Sequence, residues 1–106
     1  MAMLELSIPR AASSRQRIQL EGRDYYLTLR RNIRLDRWFF GLYDAQGAPI
    51  VEGRKLMFGR DLLRGVGSPA KPPGGLYVAD FEARGRDPDG SNFGAGVGLV
   101  YVESAP

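Results

Sequence analysis

Asp87-Pro88-Asp89-Gly90-Ser91-Asn92 sets side-chain oxygens at alternate positions around a glycine, the arrangement by which a loop wraps a hard cation such as calcium. The glutamate that closes an EF-hand loop is missing, because its position falls in the glycine-rich run after Phe93. The segment reads instead as an Asx-rich turn, whose Asp and Asn side chains bond the backbone just ahead of them. Gly65-Val66-Gly67-Ser68-Pro69-Ala70 has the outline of a dinucleotide fingerprint. That motif works only between a strand and a helix, and Pro69, Pro72 and Pro73 forbid the helix. Gly94 to Gly98 has no helix pattern after it, and Lys71 lacks the Gly-Lys-Ser/Thr context of a phosphate-binding loop.

The sequence contains neither histidine nor cysteine. A Ser-His-Asp triad, a thiol nucleophile, a disulfide and a His- or Cys-ligated zinc are therefore excluded. Asp24, Asp36, Asp44 and Asp61 all occupy turn positions, where aspartate serves as a turn or cap residue, and no pair of them can be placed for acid–base work. No catalytic, cofactor-binding or metal-ligating residues are assigned, and the chain is expected not to be an enzyme.

The elements that position these residues are strands. Between Arg17 and Arg64, short apolar-alternating runs are separated by Glu21-Gly22-Arg23-Asp24, by Asn32 to Asp36 and by Asp44-Ala45-Gln46-Gly47, the spacing of an antiparallel meander. With Ile33 to Asp36 as a hairpin loop and Asn32 opposite Arg37, Arg30 faces Phe39, Leu29 faces Phe40, Thr28 faces Gly41, Leu27 faces Leu42 and Tyr26 faces Tyr43. Because side chains alternate, Leu27, Leu29, Trp38, Phe40 and Leu42 share one face, predicted to be core. Tyr26, Thr28, Arg30, Phe39 and Tyr43 share the other.

Before this meander, Met1 to Ile8 is an edge strand or an arm and Pro9 to Ser14 a linker, so residues 1–16 read as an N-terminal arm. After the hairpin, Asp44 to Gly47 is a turn and Ile50 to Leu56 a strand, with Gly53 marking a bulge. Gly59 to Arg64 is expected to form one helical turn. Residues 65–75 and 82–98 are long Gly/Pro-rich loops of the kind that serve a function or become ordered on a partner. Leu76 to Phe81 and Leu99 to Val102 are further strands. The expected fold is all-β, a small antiparallel sandwich or partly open barrel of about six strands with two long loops and one short helical turn. All 106 residues are expected to form a single domain.

No apolar run approaches the roughly 20 residues of a membrane helix, and MAMLELSIPR lacks the pattern of a secretory signal. A soluble product made in the cytoplasm, with no membrane partner, is expected. The net charge of +3 hides an asymmetry: residues 10–64 hold eleven Arg and one Lys against six acids, while residues 65–106 hold three cations against five acids. Arginine suits planar, partly desolvated contacts with carboxylates, phosphates and aromatics. Tyr26, Arg30, Phe39 and Tyr43, with Arg34 and Arg37 at the hairpin end, are accordingly the candidate interface. The same residue types can stack bases and track phosphates, so a single-stranded nucleic-acid-binding barrel is the alternative reading. The face can also be internal, covered by another strand or by the long loops.

The series Tyr26, Leu27, Leu29, Asn32, Arg34, Arg37-Trp38, Leu42-Tyr43-Asp44, Gly47, Pro49-Ile50-Val51, Gly53, Leu56, Gly59 and Asp61-Leu62-Leu63 resembles the baseplate plug family of contractile-tailed phages, best known from a cyanophage. The resemblance covers residues 17–64, with support from the Leu76 to Asp80 strand and the closing strand. It implies a β-rich structural virion protein without enzymatic activity or cofactor. Such a plug sits in the tail baseplate hub, contacts hub and tube proteins in multiple copies of a symmetric assembly, and helps close the tail lumen.

Overall fold

The computed structural model describes residues 3–104. Seven strands form two antiparallel sheets: β1 (Met3–Leu6), β2 (Ser13–Leu20), β3 (Arg23–Asn32), β4 (Arg37–Asp44), β5 (Pro49–Lys55), β6 (Gly75–Asp80) and β7 (Val97–Val102). One sheet has the order β1-β7-β6 and the other β2-β3-β4-β5. The sheets do not close on one another, so of the two expected architectures the protein is a sandwich. Among the described residues no helix is long and apolar enough to cross a membrane.

The β3–β4 hairpin adopts the expected register, from Tyr26↔Tyr43 through Arg30↔Phe39 to Asn32↔Arg37. At its turn Asn32 Oδ1 accepts the Leu35 amide at 3.0 Å, while Asp36 takes a positive φ of 51°. The predicted inner face is buried, with Leu27, Leu29, Phe40 and Leu42 at most 1% exposed and Trp38 at 7%. They join Leu76, Val78, Leu99 and Tyr101 of the other sheet in one apolar core. Asp44 Oδ1 caps its turn by accepting the amides of Gln46 and Ala48, and Gly47 takes the expected positive φ. The β4–β5 ladder slips near Gly53, the predicted bulge.

Two expectations are corrected. Ser13 and Ser14 are not linker: β2 begins at Ser13, paired with Arg30, so the arm is shorter than residues 1–16. Its first half is polar on both faces (Ser13, Ser14, Arg15, Gln16), so no local apolar alternation announces it; pairing with β3 creates it. The first strand is an edge strand as expected, although Met1 lies outside the described residues. Gly59 to Arg64 is not a helical turn but a run of tight turns. Its polar groups are spent elsewhere: Asp61 Oδ1 accepts the amides of Leu63 and Leu76, and the Leu62 amide bonds the Leu76 carbonyl at 2.7 Å. The seven strands among the described residues agree with the expected number of about six, β1 being the edge strand that the sequence left open as an arm.

The long connection from Phe81 to Gly96 is ordered on its own protein. Trp38 Nε1 donates to the Asp89 carbonyl at 3.1 Å and its ring meets Phe93 at 4.9 Å. Asp36 Oδ1 accepts both the Arg31 guanidinium and the Gly90 amide at 2.9 Å. A Cβ at Gly90 would come within 2.2 Å of Arg31 Nη2, so any larger residue there would displace the Arg31 guanidinium. Asp80, its side chain sealed from solvent, accepts Arg86 Nε at 2.9 Å and the amides of Glu82 and Arg86. The Arg86 guanidinium, with those amides, holds the Asp80 carboxyl well below the usual range. At the opposite end Tyr101 donates its hydroxyl to Glu21 and accepts the Gly74 amide at 2.7 Å, while Ser104 Oγ also donates to Glu21. The Ser104 and Tyr101 hydroxyls lower the Glu21 carboxyl, and burial followed by Glu21 raises the Tyr101 phenol.

Two outcomes follow from this packing. Phe40→Ala is expected to cost about 3–5 kcal/mol in urea unfolding, since the ring is 1% exposed at the centre of the core. Asp80 and Glu21 are depressed carboxyls, so their contribution is present above the unfolded pKa of about 4 and is lost as pH falls through the lower folded values. Thermal melts below about pH 4 should therefore drop more steeply for the native protein than for Asp80→Asn, which should be less stable at neutral pH.

Candidate functional site

The four-stranded sheet turns one face to the core and the other outward, and among the described residues no strand packs on the outer face. Tyr26, Thr28 and Arg30 of β3 lie there beside Phe39, Gly41 and Tyr43 of β4, as the register requires. Arg30 is exposed and the three aromatic side chains are half-buried, which overturns the reading of this face as internal. Arg15 and Arg17 of β2 fall on the same face, opposite Thr28 and Tyr26.

Gly41 makes the face concave. A Cβ there would lie 2.7 Å from Thr28 Oγ1 and 3.0 Å from the Tyr43 ring. The missing side chain lets that ring lie over the strand and leaves a trough of about 740 Å³ lined by Arg15, Thr28, Arg30, Phe39, Tyr43 and Glu52. It continues past Arg30 and Phe39 into a second hollow that reaches Asn32 and Ile33. Tyr43 donates to Glu52 at 2.8 Å, and this bond, with desolvation, raises the phenol pKa. The Arg15 guanidinium stacks 4.5 Å from the centre of the Tyr26 ring, and Arg17 pairs with Asp24 at 2.5 Å. Arg30 and Lys55 flank Phe39 and form no ion pair among the described residues.

Of the six residues proposed from the sequence, Tyr26, Arg30, Phe39 and Tyr43 are therefore brought together. Arg34 is exposed in the hairpin turn, and Arg37 is tied back to the Asp36 carbonyl at 2.8 Å, so both lie at the end of the groove. Sequence reasoning missed Arg15, hidden by reading Ser13 and Ser14 as linker. It also passed over Ile33 and Leu35, which are 73% and 58% exposed on either side of Arg34 at the hairpin tip. An apolar-Arg-apolar turn was the available signal.

The face offers cations, aromatic rings and apolar edges. The segment with the outline of a calcium loop has its oxygens committed: Asp89 Oδ1 accepts the Ser91 amide and hydroxyl and the Asn92 amide, closing an Asx turn. Burial raises the Asp89 carboxyl, yet these bonds outweigh it and leave it below the usual range. The arrangement offers a concave surface of aromatic rings and cations against which another molecule can pack.

Because the outer face carries little of the folding energy, Arg30→Ala and Tyr43→Phe should each change stability by less than about 1 kcal/mol in urea unfolding. A loss beyond about 2 kcal/mol for either would make the face a structural one.

No curated protein matches the chain. A family model described as cyanophage baseplate Pam3 plug gp18 matches residues 3–104, nearly the full length. The match spans nearly the whole chain, and an all-β open sandwich is the fold that carries it: the chain belongs to the cyanophage baseplate plug family.

Proposed function

We propose that the protein is a non-catalytic plug of a phage or phage-derived tail baseplate, packing against hub and tube proteins and helping to close the tail lumen. The family match over residues 3–104 carries this reading. The sandwich supports it physically. Asp36, Asp44, Asp61, Asp80 and Asp89 spend carboxylate oxygens on backbone amides, which suits a rigid building block rather than an acid–base catalyst. The groove along Tyr26, Arg30, Phe39 and Tyr43, extended by Arg34 and Arg37, is its docking surface toward these neighbours. Aromatic and arginine side chains there supply contact area and directed hydrogen bonds. In this reading several copies enter one symmetric assembly, and the chain is made in the host cytoplasm before incorporation into the virion.

Affinity purification of the tagged protein at moderate salt, from cells producing the whole tail, should recover hub and tube proteins. Tyr26→Ala, Arg30→Ala and Phe39→Ala should abolish or sharply reduce that recovery while the purified variants remain folded. Recovery of nucleic acid alone, released by added salt, would sink the plug reading, because phosphate-driven binding weakens steeply with ionic strength. Intact assembly with all three substitutions would move the docking surface elsewhere on the sandwich.

A further inference from the structure

The two sheets present four lateral edges, and three are guarded against pairing with another chain. The β6 edge is covered by the preceding segment, through the Phe58–Val78 bridge and the Leu62 amide on Leu76. The β5 edge opens on Pro49, is bent by the slip near Gly53, and has Arg54 reaching to the carbonyls of Leu62 and Arg64. The β2 edge carries exposed Arg15 and Arg17 at alternate positions. Charges, proline, bulges and covering segments are the devices by which proteins prevent edge-to-edge association.

β1 has none of these beyond its shortness and one charge. Met3 is 68% exposed and Leu4 44%. Beyond the ladder to β7, residues Met3 to Leu6 make no backbone hydrogen bond among the described residues. Apart from Glu5, the outer face beside this edge is apolar: Met3 lies opposite Val102, whose other neighbour is Gly75, and Glu5 lies opposite Val100, next to Tyr77. Glu5 forms no ion pair among the described residues.

We propose that β1 is an acceptor edge for an extended segment of another baseplate protein, which adds as a fourth strand to the β1-β7-β6 sheet. The proposal rests on the plug reading for the identity of its partner. Main-chain bonds would supply the affinity and alternate side chains the selectivity. Charge complementarity sets the chemistry of the incoming strand. It carries a Lys or Arg beside Glu5 and, two residues away on the same face, an apolar residue beside Met3. A second copy of this chain fits less well, since two-fold pairing of β1 about Leu4 places Glu5 against Met3 and leaves both carboxylates without a cation.

Hydrogen exchange of the free protein and of purified baseplates containing it tests this. Amides of Met3 to Leu6 should exchange at least about tenfold more slowly in the baseplate. A photo-crosslinking residue in place of Met3 should join a different baseplate chain at a segment of the stated pattern. Glu5→Lys, on an exposed side chain, should leave the melting of the free protein unchanged and reduce incorporation by about tenfold, the effect of replacing attraction by repulsion at one desolvated pair. If the protein is incorporated while β1 exchanges as fast as in the free state, or if the crosslink joins two copies of this chain, the proposal is wrong and the plug reading stands. Absence of the protein from baseplates would overturn both.

Discussion

Burying one face of the β3–β4 hairpin commits the whole of its other face, because side chains alternate strictly along paired strands. Leu27, Leu29, Trp38, Phe40 and Leu42 enter the core, and Tyr26, Arg30, Phe39 and Tyr43 must then point away from it. A slip of one residue would bring Arg30 inward beside the leucines, at a desolvation cost that no nearby acid offsets. The groove and the core are thus two consequences of one register. Trp38 extends this control to the long connection before β7, since its ring packs on Phe93 and its Nε1 bonds the Asp89 carbonyl.

Carboxylates in the turns and connections are spent on backbone amides. Antiparallel sandwiches leave backbone amides unpaired wherever the chain crosses between sheets, and each buried amide needs an acceptor. Asp61 serves the crossing from β5 to β6, Asp80 and Asp89 the connection to β7, and Asp36 the contact between hairpin tip and that connection. Glu21, with Tyr101 and Ser104, ties the β2–β3 turn to the end of β7. Without disulfides, these bonds do the fastening of long loops that would otherwise be free to move. The loops are thereby bonded to the body of the protein itself.

In the proposed reading, a concave cationic-aromatic face on one sheet and an unguarded strand edge on the other would give the protein two separate means of engaging neighbours. Side-chain docking in the groove depends on shape and charge. Strand addition depends on main-chain geometry and tolerates greater variation in sequence. The two lie on different sheets, so one neighbour can be engaged without displacing another, as a component held inside a multi-protein assembly requires.

Much of this was legible in the residues themselves. Turn chemistry at Asn32 to Asp36 and at Asp44 to Gly47, with apolar alternation between them, determined the hairpin, its register, its core face and four of the six candidate interface residues. The same residues carried the family resemblance, and the absence of His and Cys excluded whole classes of chemistry. Those signals are local, written within a few residues of where they act. Tertiary structure alone decided that β2 begins at Ser13, that Gly59 to Arg64 bonds to β6 instead of coiling, and that the sandwich stays open. It also decided which strand edges are covered. Each of these depends on a partner far away in the chain: Arg30 for Ser13, Leu76 for Asp61 and Leu62, Val102 for Met3. A polar strand or a turn with two competing sets of hydrogen bonds carries no local pattern that favours one outcome, so the distant partner settles it.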